Sequence, residues 1–295
     1  MKTPLMMIIN PAAGKGGFKR GLPESLKLLS DAGYDVTVFF TEYRGHATVL
    51  AAEHGEHFSK LLCLGGDGTL AEVISGLMTI ENRPQVGYIP IGTANDIART
   101  VGLPKNDIEF GTQRFLRGKV LNFDTGAYDG GYFNYVAAFG AFTEVSYATP
   151  QSAKQTFGEA AYLVGAVKSL GGLKSRHVRV EYDDGELDGE FIYGGMSNSF
   201  SVGGVVDLPR DMIDLGDGKH ELILVKKLPH VSSVIPLAAK VFAHNYSSDY
   251  IVLLQTKKAK FIFDEPTSWT FDGEDGGEHT EITIENRCRA IELIH

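Results

Sequence analysis

The amino-acid sequence predicts a two-domain protein of class α/β plus β: a helix-covered parallel sheet first, then a mostly antiparallel β domain. Three observations predict it. Strand and helix patterns alternate over the first 120 or so residues. The pattern gives way to short β runs after Leu121. Glycine-rich loops follow the early strands.

Residues 5–9 are apolar throughout and are stopped by Asn10-Pro11, which marks a buried strand. Phe18, Leu22, Leu26 and Leu29 then recur at helical spacing. Residues 36–40 read as a second strand, 46–54 as a helix and 61–64 as a third strand. Leu70, Val73, Ile74 and Leu77 lie at i, i+3, i+4 and i+7, one face of a helix. A fourth strand at 86–91 leads to a short helix from Ala94 and another over 107–117. Such alternation implies parallel strands covered on both faces. Ligands of such sheets sit where the carboxyl ends of strands lead into helices.

Past Leu121, Tyr128-Asp129-Gly130-Gly131-Tyr132 and Asp183-Asp184-Gly185 predict hairpin turns. Strands are expected at 178–182, 191–194, 221–225, 251–254, 260–263, 281–284 and 290–294, with helical stretches at 160–170 and 231–242. The boundary falls within residues 120–125, which gives domains 1–122 and 123–295.

Composition narrows the function classes. The 295 residues are 43% hydrophobic and 22% charged, ordinary for a globular chain with a sizeable core. Cys63 lies in an apolar run and reads as a buried thiol. With only the distant Cys288 beside it there is no disulfide framework or zinc site, which points to a reducing cytoplasm. The N-terminal apolar run is too short for a signal peptide. No stretch approaches the roughly 18 apolar residues of a membrane span, so the expected protein is soluble or held at a membrane surface. The net charge of −9 argues against nucleic-acid binding. The small basic clusters, Lys226-Lys227 and Lys257-Lys258 with Lys260, read as solvated surface.

The strongest local signal is Gly65-Gly66-Asp67-Gly68-Thr69, between a buried strand and an amphipathic helix. Glycines there let backbone N–H groups approach an anion, and the helix N-terminus adds its dipole. The alternative is a tight turn in which Thr69 caps the helix and Glu72 completes a capping box. Two further loops follow strands: Asn10-Pro11-Ala12-Ala13-Gly14-Lys15-Gly16-Gly17, and Pro90-Ile91-Gly92-Thr93-Ala94-Asn95-Asp96. Neither standard phosphate-loop nor dinucleotide fingerprint is present. Three such loops on one sheet edge favour a nucleotide phosphate site over three unrelated turns.

Taken together, Asn10-Pro11-x-x-Gly14, Gly65 to Thr69, Gly92-Thr93-Ala94-Asn95-Asp96, Asp217-Gly218 and Asp272-Gly273-Glu274 resemble the bacterial diacylglycerol kinase family of soluble lipid kinases. That family shares its catalytic domain with eukaryotic diacylglycerol and sphingosine kinases. The Gly-Gly-Asp-Gly-Thr element also occurs in NAD kinases and phosphofructokinases; the other segments narrow the resemblance. It implies a first domain of NAD-kinase and phosphofructokinase type, a C-terminal antiparallel β-sandwich, and an active site in the cleft between them. It implies ATP contacts at Asn10, Pro11, Ala12, Ala13, Gly14, Thr41, Gly66, Asp67, Gly68, Thr69, Leu70, Ala71, Glu72 and Thr93. For Thr41, a helix-capping role stays open.

Phosphoryl transfer needs charge neutralisation by Mg²⁺, alignment of donor and acceptor, and a group to take the hydroxyl proton. Glu274 matches the family's general base, and a carboxylate suits that task. An ordinary acidic turn is the alternative, with Asp275 and Glu278 close enough to be confused with it. The resemblance places Asp67 near the phosphates and the Mg²⁺ of MgATP, and Asp124 in a water-bridged network with it. It makes Asp214, Asp217 and the carbonyl of Lys219 ligands of a structural Mg²⁺. The loop before Asp217 departs from the family in the longer Pro209-Arg210-Asp211-Met212-Ile213 and the reduced Gly203-Gly204.

The acceptor implied is diacylglycerol or a related lipid at a membrane surface, so the enzyme is expected in the cytoplasm and transiently at the inner face of the membrane. Apolar residues 139–142 and 162–167 read either as a lipid cleft or as core. A homodimer is compatible with the sequence. The competing functions are a kinase for a soluble acceptor such as NAD, and a nucleotide-binding regulator without catalysis.

Overall fold

Each apolar run of the first half is a strand that begins a residue or two before its hydrophobic centre. The computed structural model describes residues 2–16, 18–93, 95–140, 174–202, 206–209, 213–230, 233, 236–237, 240 and 245–295. The expected helix at 160–170, most of 231–242, the apolar residues 141–142 and 162–167, and Ala94, Gly203, Gly204, Arg210, Asp211 and Met212 lie outside them. The chain forms two compact units. One is Met1–Thr125 with Leu215–Asp217 and Cys288–His295; the other is Gly126–Asp214 with Gly218–Arg287. Among the described residues no helix is long and apolar enough to cross a membrane.

In the first unit β1 (Thr3–Ile9), β2 (Tyr34–Phe40), β3 (Lys60–Gly65) and β4 (Gln85–Pro90) run parallel in the order β4-β3-β1-β2. Residues 5–9 and 61–65 are buried without a break, as parallel strands covered on both faces must be. Between and after them come α1 (Phe18–Asp31), α2 (His46–His54), α3 (Asp67–Leu77), α4 (Asp96–Val101) and α5 (Ile108–Arg117). Phe18 and Leu29 of α1 and Ile108 and Phe115 of α5 close over Leu5, Met7, Leu62 and Ile89. The one polar pair buried between these helices, Ser25 and Thr112, satisfies itself with a hydroxyl hydrogen bond of 2.7 Å. Cys63 is fully buried, and burial pushes its thiol well above the usual range, so it is an inert packing group. The strand register pairs Ile9 with Phe40, Ile9 with Leu64 and Gly65 with Pro90. All four strands therefore end at one level, and the three glycine loops leave from the same edge.

β5 (Val120–Tyr128) leads into the second unit. There β6 (Gly131–Phe133), β7 (Val136–Gly140), β8 (Arg176–Tyr182), β9 (Gly185–Ser197), β12 (His220–Lys226), β13 (Ile251–Thr256), β14 (Lys258–Phe271) and most of β15 (Glu274–Ile294) pair antiparallel. The short β10 (Ser201–Val202) and β11 (Val206–Asp207) pair with each other. Both expected hairpin turns are present, with Tyr128 opposite Gly131 and Tyr182 opposite Gly185. Trp269 is fully buried with Phe139, Phe261, Phe263 and Phe271 around it. Phe139, weighed above as a lipid contact, is therefore core.

Two differences stand out. The strands expected at 281–284 and 290–294 are one strand, β15. The stretch that joins them, Glu285 to Arg289, is polar and largely exposed, so it carries no hydrophobic pattern. In addition, the end of β15 pairs parallel with β4, Leu293 beside Val86 and Ile294 beside Gly87. This strand was expected among those of the β domain; its last residues complete the first unit.

Candidate active site

The three glycine loops are fastened to one another by side chains and by the absence of side chains. Asn10, at the end of β1, donates from Nδ2 to Thr69 Oγ1 at 2.9 Å and accepts the Ala12 N–H on Oδ1 at 3.0 Å. The second bond is an Asx turn, which bends the chain into the exposed Pro11 and Ala12 and the half-buried Ala13. Gly14 has φ +59°, and a Cβ there would stand 2.4 Å from the Ile91 carbonyl oxygen. Only glycine allows that approach. Thr41 is buried at the end of β2, its N–H donated to the Ile9 carbonyl at 2.9 Å.

The second and third loops meet glycine to glycine. A Cβ on Gly92 would lie 2.5 Å from Gly66 Cα. Asp67, the first residue of α3, reaches across, and its carboxylate accepts the N–H groups of Asp96 at 3.0 Å and Ile97 at 3.4 Å. It thereby caps α4, whose own N-cap residue Asn95 makes no side-chain cap. Asn95 adopts the left-handed conformation (φ 55°) and is buried. It donates to the Gly92 carbonyl at 2.8 Å and accepts from the Tyr88 hydroxyl at 3.2 Å. In the sequence Asn95 stands only as one letter of the Gly92-Thr93-Ala94-Asn95-Asp96 motif. The signal was available, since Asn between Gly-Thr-Ala and a helix start is a residue suited to positive φ.

The capping box weighed as an alternative at Thr69 and Glu72 is absent. The helix begins at Asp67, so Thr69 lies inside its first turn and takes the bond from Asn10. Glu72 instead accepts the N–H groups of Gly45 at 2.8 Å and Ala47 at 3.2 Å, at the start of α2. A helix entered through glycine has no cap of its own, and a neighbouring helix supplies the carboxylate. Gly68 and Thr93 are exposed, Ala71 half-buried and Leu70 fully buried in the core. The opening N–H groups of α3 have no intrahelical acceptor, because the first helical bond runs from Leu70 to the Gly66 carbonyl. Such a terminus beside glycines suits an anion.

Asp124 stands apart from that cluster. It is fully buried in β5, and its carboxylate accepts the Arg289 N–H at 2.6 Å, while its own N–H goes to the Leu215 carbonyl at 2.7 Å. Arg289 has φ 51° and donates from Nε to the Gly216 carbonyl at 3.1 Å. Asp214 and Asp217 are exposed and Lys219 is half-buried. Among the described residues no three His, Cys, Asp or Glu side chains form a group able to hold a metal.

Glu274 belongs to the second unit and is exposed. It is the first residue of β15, paired with Phe271 across a two-residue turn. The turn residues Asp272 and Gly273 have φ 51° and 79°, the positive pair that a tight hairpin requires. Asp275 and Glu278 are also exposed and hold the next bend: Asp275 accepts the Gly277 N–H at 3.0 Å, and Ser268 donates to Glu278 at 3.4 Å.

Gly92→Ala is expected to push the second and third loops apart, because its new methyl meets backbone that cannot rotate away. Overpacking of this kind costs about 1–3 kcal/mol. A urea melt should read that loss.

Residues 4–128 match the diacylglycerol kinase catalytic domain. Over its length the chain is 33% identical to the diacylglycerol kinase of Bacillus subtilis (strain 168), covering 92% of this chain and 89% of that one. It is 34% identical to the diacylglycerol kinase of Staphylococcus saprophyticus, with 100% and 99% covered. A crystal structure of a diacylglycerol kinase from Bacillus anthracis str. Sterne has the same fold at a TM-score of 0.78 and 22% identity, covering 100% of this chain and 97% of that one.

Proposed function

The chain belongs to the diacylglycerol kinase family, and from that premise we propose that it transfers the γ-phosphoryl group of ATP to the hydroxyl of diacylglycerol or a closely related lipid, giving a phosphatidic acid. The observation that carries the reading is the mutual fastening of the three glycine loops at one sheet edge. In-line phosphoryl transfer asks a protein mainly to hold charge and to align reactants. Backbone N–H groups of residues 14, 66–69 and 92–93 would receive the phosphates, with Thr41 at the same edge. The fold that suits this task is a nucleotide domain of NAD-kinase type over residues 1–122, completed by the end of β15, with a β-sandwich over the rest of 123–295 serving the acceptor.

Glu274 would take the proton of the attacking hydroxyl. Its exposure agrees with a base that must meet a substrate arriving from a membrane. Asp67 already spends its carboxylate on the Asp96 and Ile97 N–H groups, so in this reading it acts first by keeping the third loop closed on the second. Asp124 would act in the same manner, by anchoring the Leu215–Asp217 segment and Arg289. Asp214, Asp217 and the Lys219 carbonyl form a hard oxygen donor set that suits Mg²⁺ with retained waters. When bound there, the ion would supply positive charge to a loop that carries two exposed carboxylates. The site of action would be the inner membrane face, reached from the cytoplasm.

Incubation with γ-labelled ATP, Mg²⁺ and a total lipid extract tests this reading. Label is expected in phosphatidic acid. Label in a dinucleotide, on addition of NAD, would identify a soluble-acceptor kinase. ATP binding with no labelled product would identify a regulator.

A further inference from the structure

Two residues before Glu274, Asp272 is bound more densely than any turn requires. Its carboxylate accepts the backbone N–H groups of three consecutive residues, Asn134 at 2.7 Å, Tyr135 at 2.9 Å and Val136 at 3.1 Å, and the Asn134 side-chain amide at 3.2 Å. Its backbone is held as well. The Asp272 N–H donates to the Val136 carbonyl at 2.8 Å, and the Tyr135 hydroxyl donates to the Asp272 carbonyl at 2.7 Å. Asn134 and Tyr135 are themselves buried, at 0% and 7% exposure, so the grip is on rigid ground.

An Asp-Gly hairpin turn closes without any such help, because its geometry follows from positive φ at both positions. The six bonds therefore do something the turn does not need. They fix where the turn stands relative to the start of β7. Glu274 is the first residue after that turn, and its pairing with Phe271 ties its backbone to the turn. Phe271 is in turn stacked on Tyr128 at 3.7 Å and on Trp269 at 6.0 Å.

We propose that Asp272 is a positioning residue for the transfer reaction, holding Glu274 at a set place through the 134–136 backbone; this rests on Glu274 being the base. The grip is costly enough to mark a purpose. Burial raises the Asp272 carboxyl to about 6, although four N–H donors pull the other way. A displacement of about 1 Å in a reacting group costs on the order of 10² in rate, which is why an exposed base needs a rigid mount.

A double-mutant cycle separates positioning from simple structural support. Asp272→Asn keeps one acceptor oxygen and nearly the same shape. Alone it is expected to lower kcat ~10–100-fold with the KM for ATP unchanged. On a Glu274→Gln background the same change is expected to have less than about a threefold effect, since a missing base cannot be misplaced. Equal losses in both backgrounds would overturn the proposal and leave the role of Glu274 standing. Full activity of Glu274→Gln alone would instead remove the base, and the premise with it. Should Asp272→Asn fold poorly, Tyr135→Phe, which removes the hydroxyl that bonds the Asp272 carbonyl, is carried through the same cycle, with a smaller loss of kcat expected in the parent and none on Glu274→Gln.

Discussion

Glu274→Gln is expected to lower kcat about 10²- to 10⁴-fold, the usual contribution of a positioned general base. The KM for ATP should stay where it is, because the three glycine loops proposed to hold the nucleotide belong to the other unit. The side chain is exposed and the replacement is isosteric, so the melting behaviour should also stay within about 0.5 kcal/mol of the parent. Asp275→Asn and Glu278→Gln serve as controls, since both carboxylates lie within the same acidic run and are also exposed. Labelled-phosphate transfer into diacylglycerol micelles reads all three. A Glu274→Gln enzyme that keeps parental turnover, or a Glu278→Gln enzyme that loses it, would reassign the base.

Asp67→Ala is expected to damage both stability and catalysis. The change removes the acceptor for the Asp96 and Ile97 N–H groups, and with it the cap of α4. A charge-assisted bond of good length is worth about 1.5–3 kcal/mol, and the longer Ile97 bond adds less, so a loss of about 2–3 kcal/mol should appear in a urea melt. The third loop is then free to leave the second, and kcat/KM for ATP should drop about 10²-fold or more. Asp67→Asn gives a finer reading. Burial holds the Asp67 carboxyl above its usual value, against the pull of three N–H groups and the Lys105 charge. A carboxyl raised in the folded state keeps its proton better there than in the unfolded chain. Its titration supports folding below the unfolded value and withdraws that support as pH rises through the folded value. Asparagine does not titrate, so the variant should lose this slope when melts are compared over roughly pH 4 to 7. An unchanged slope would show that another group carries it.

The parts of the molecule that could be read in advance are those where burial writes a period into the sequence. Residues 5–9 and 61–64 are apolar without interruption because helices cover both faces, and α2 spans the residues that the pattern gave it, His46–His54. The convergence of the loops also followed, since three glycine turns after three parallel strands have one edge to share. What could not be read are bonds between residues far apart in the chain. Glu72 looked like a local cap for its own helix, because Thr69 stood three residues before it. The acceptor it provides is for Gly45 and Ala47, which no spacing reveals. Asp272 looked like a turn residue because the 134–136 backbone that it grips is more than a hundred residues away. Arg83 and Gln85 likewise reach partners in β15, the Ala290 carbonyl and Glu292.

The pairing of Leu293 and Ile294 with β4 has a consequence during synthesis. Val86 and Gly87 leave the ribosome some two hundred residues before the strand that borders them exists. At about 5–20 residues per second the wait is roughly ten to forty seconds. Through that interval the nascent half-sheet offers an unprotected, oily border to other chains, which is the kind of surface that chaperones shield. Fusions or deletions that disturb Leu293 and Ile294 should therefore reduce the yield of soluble enzyme.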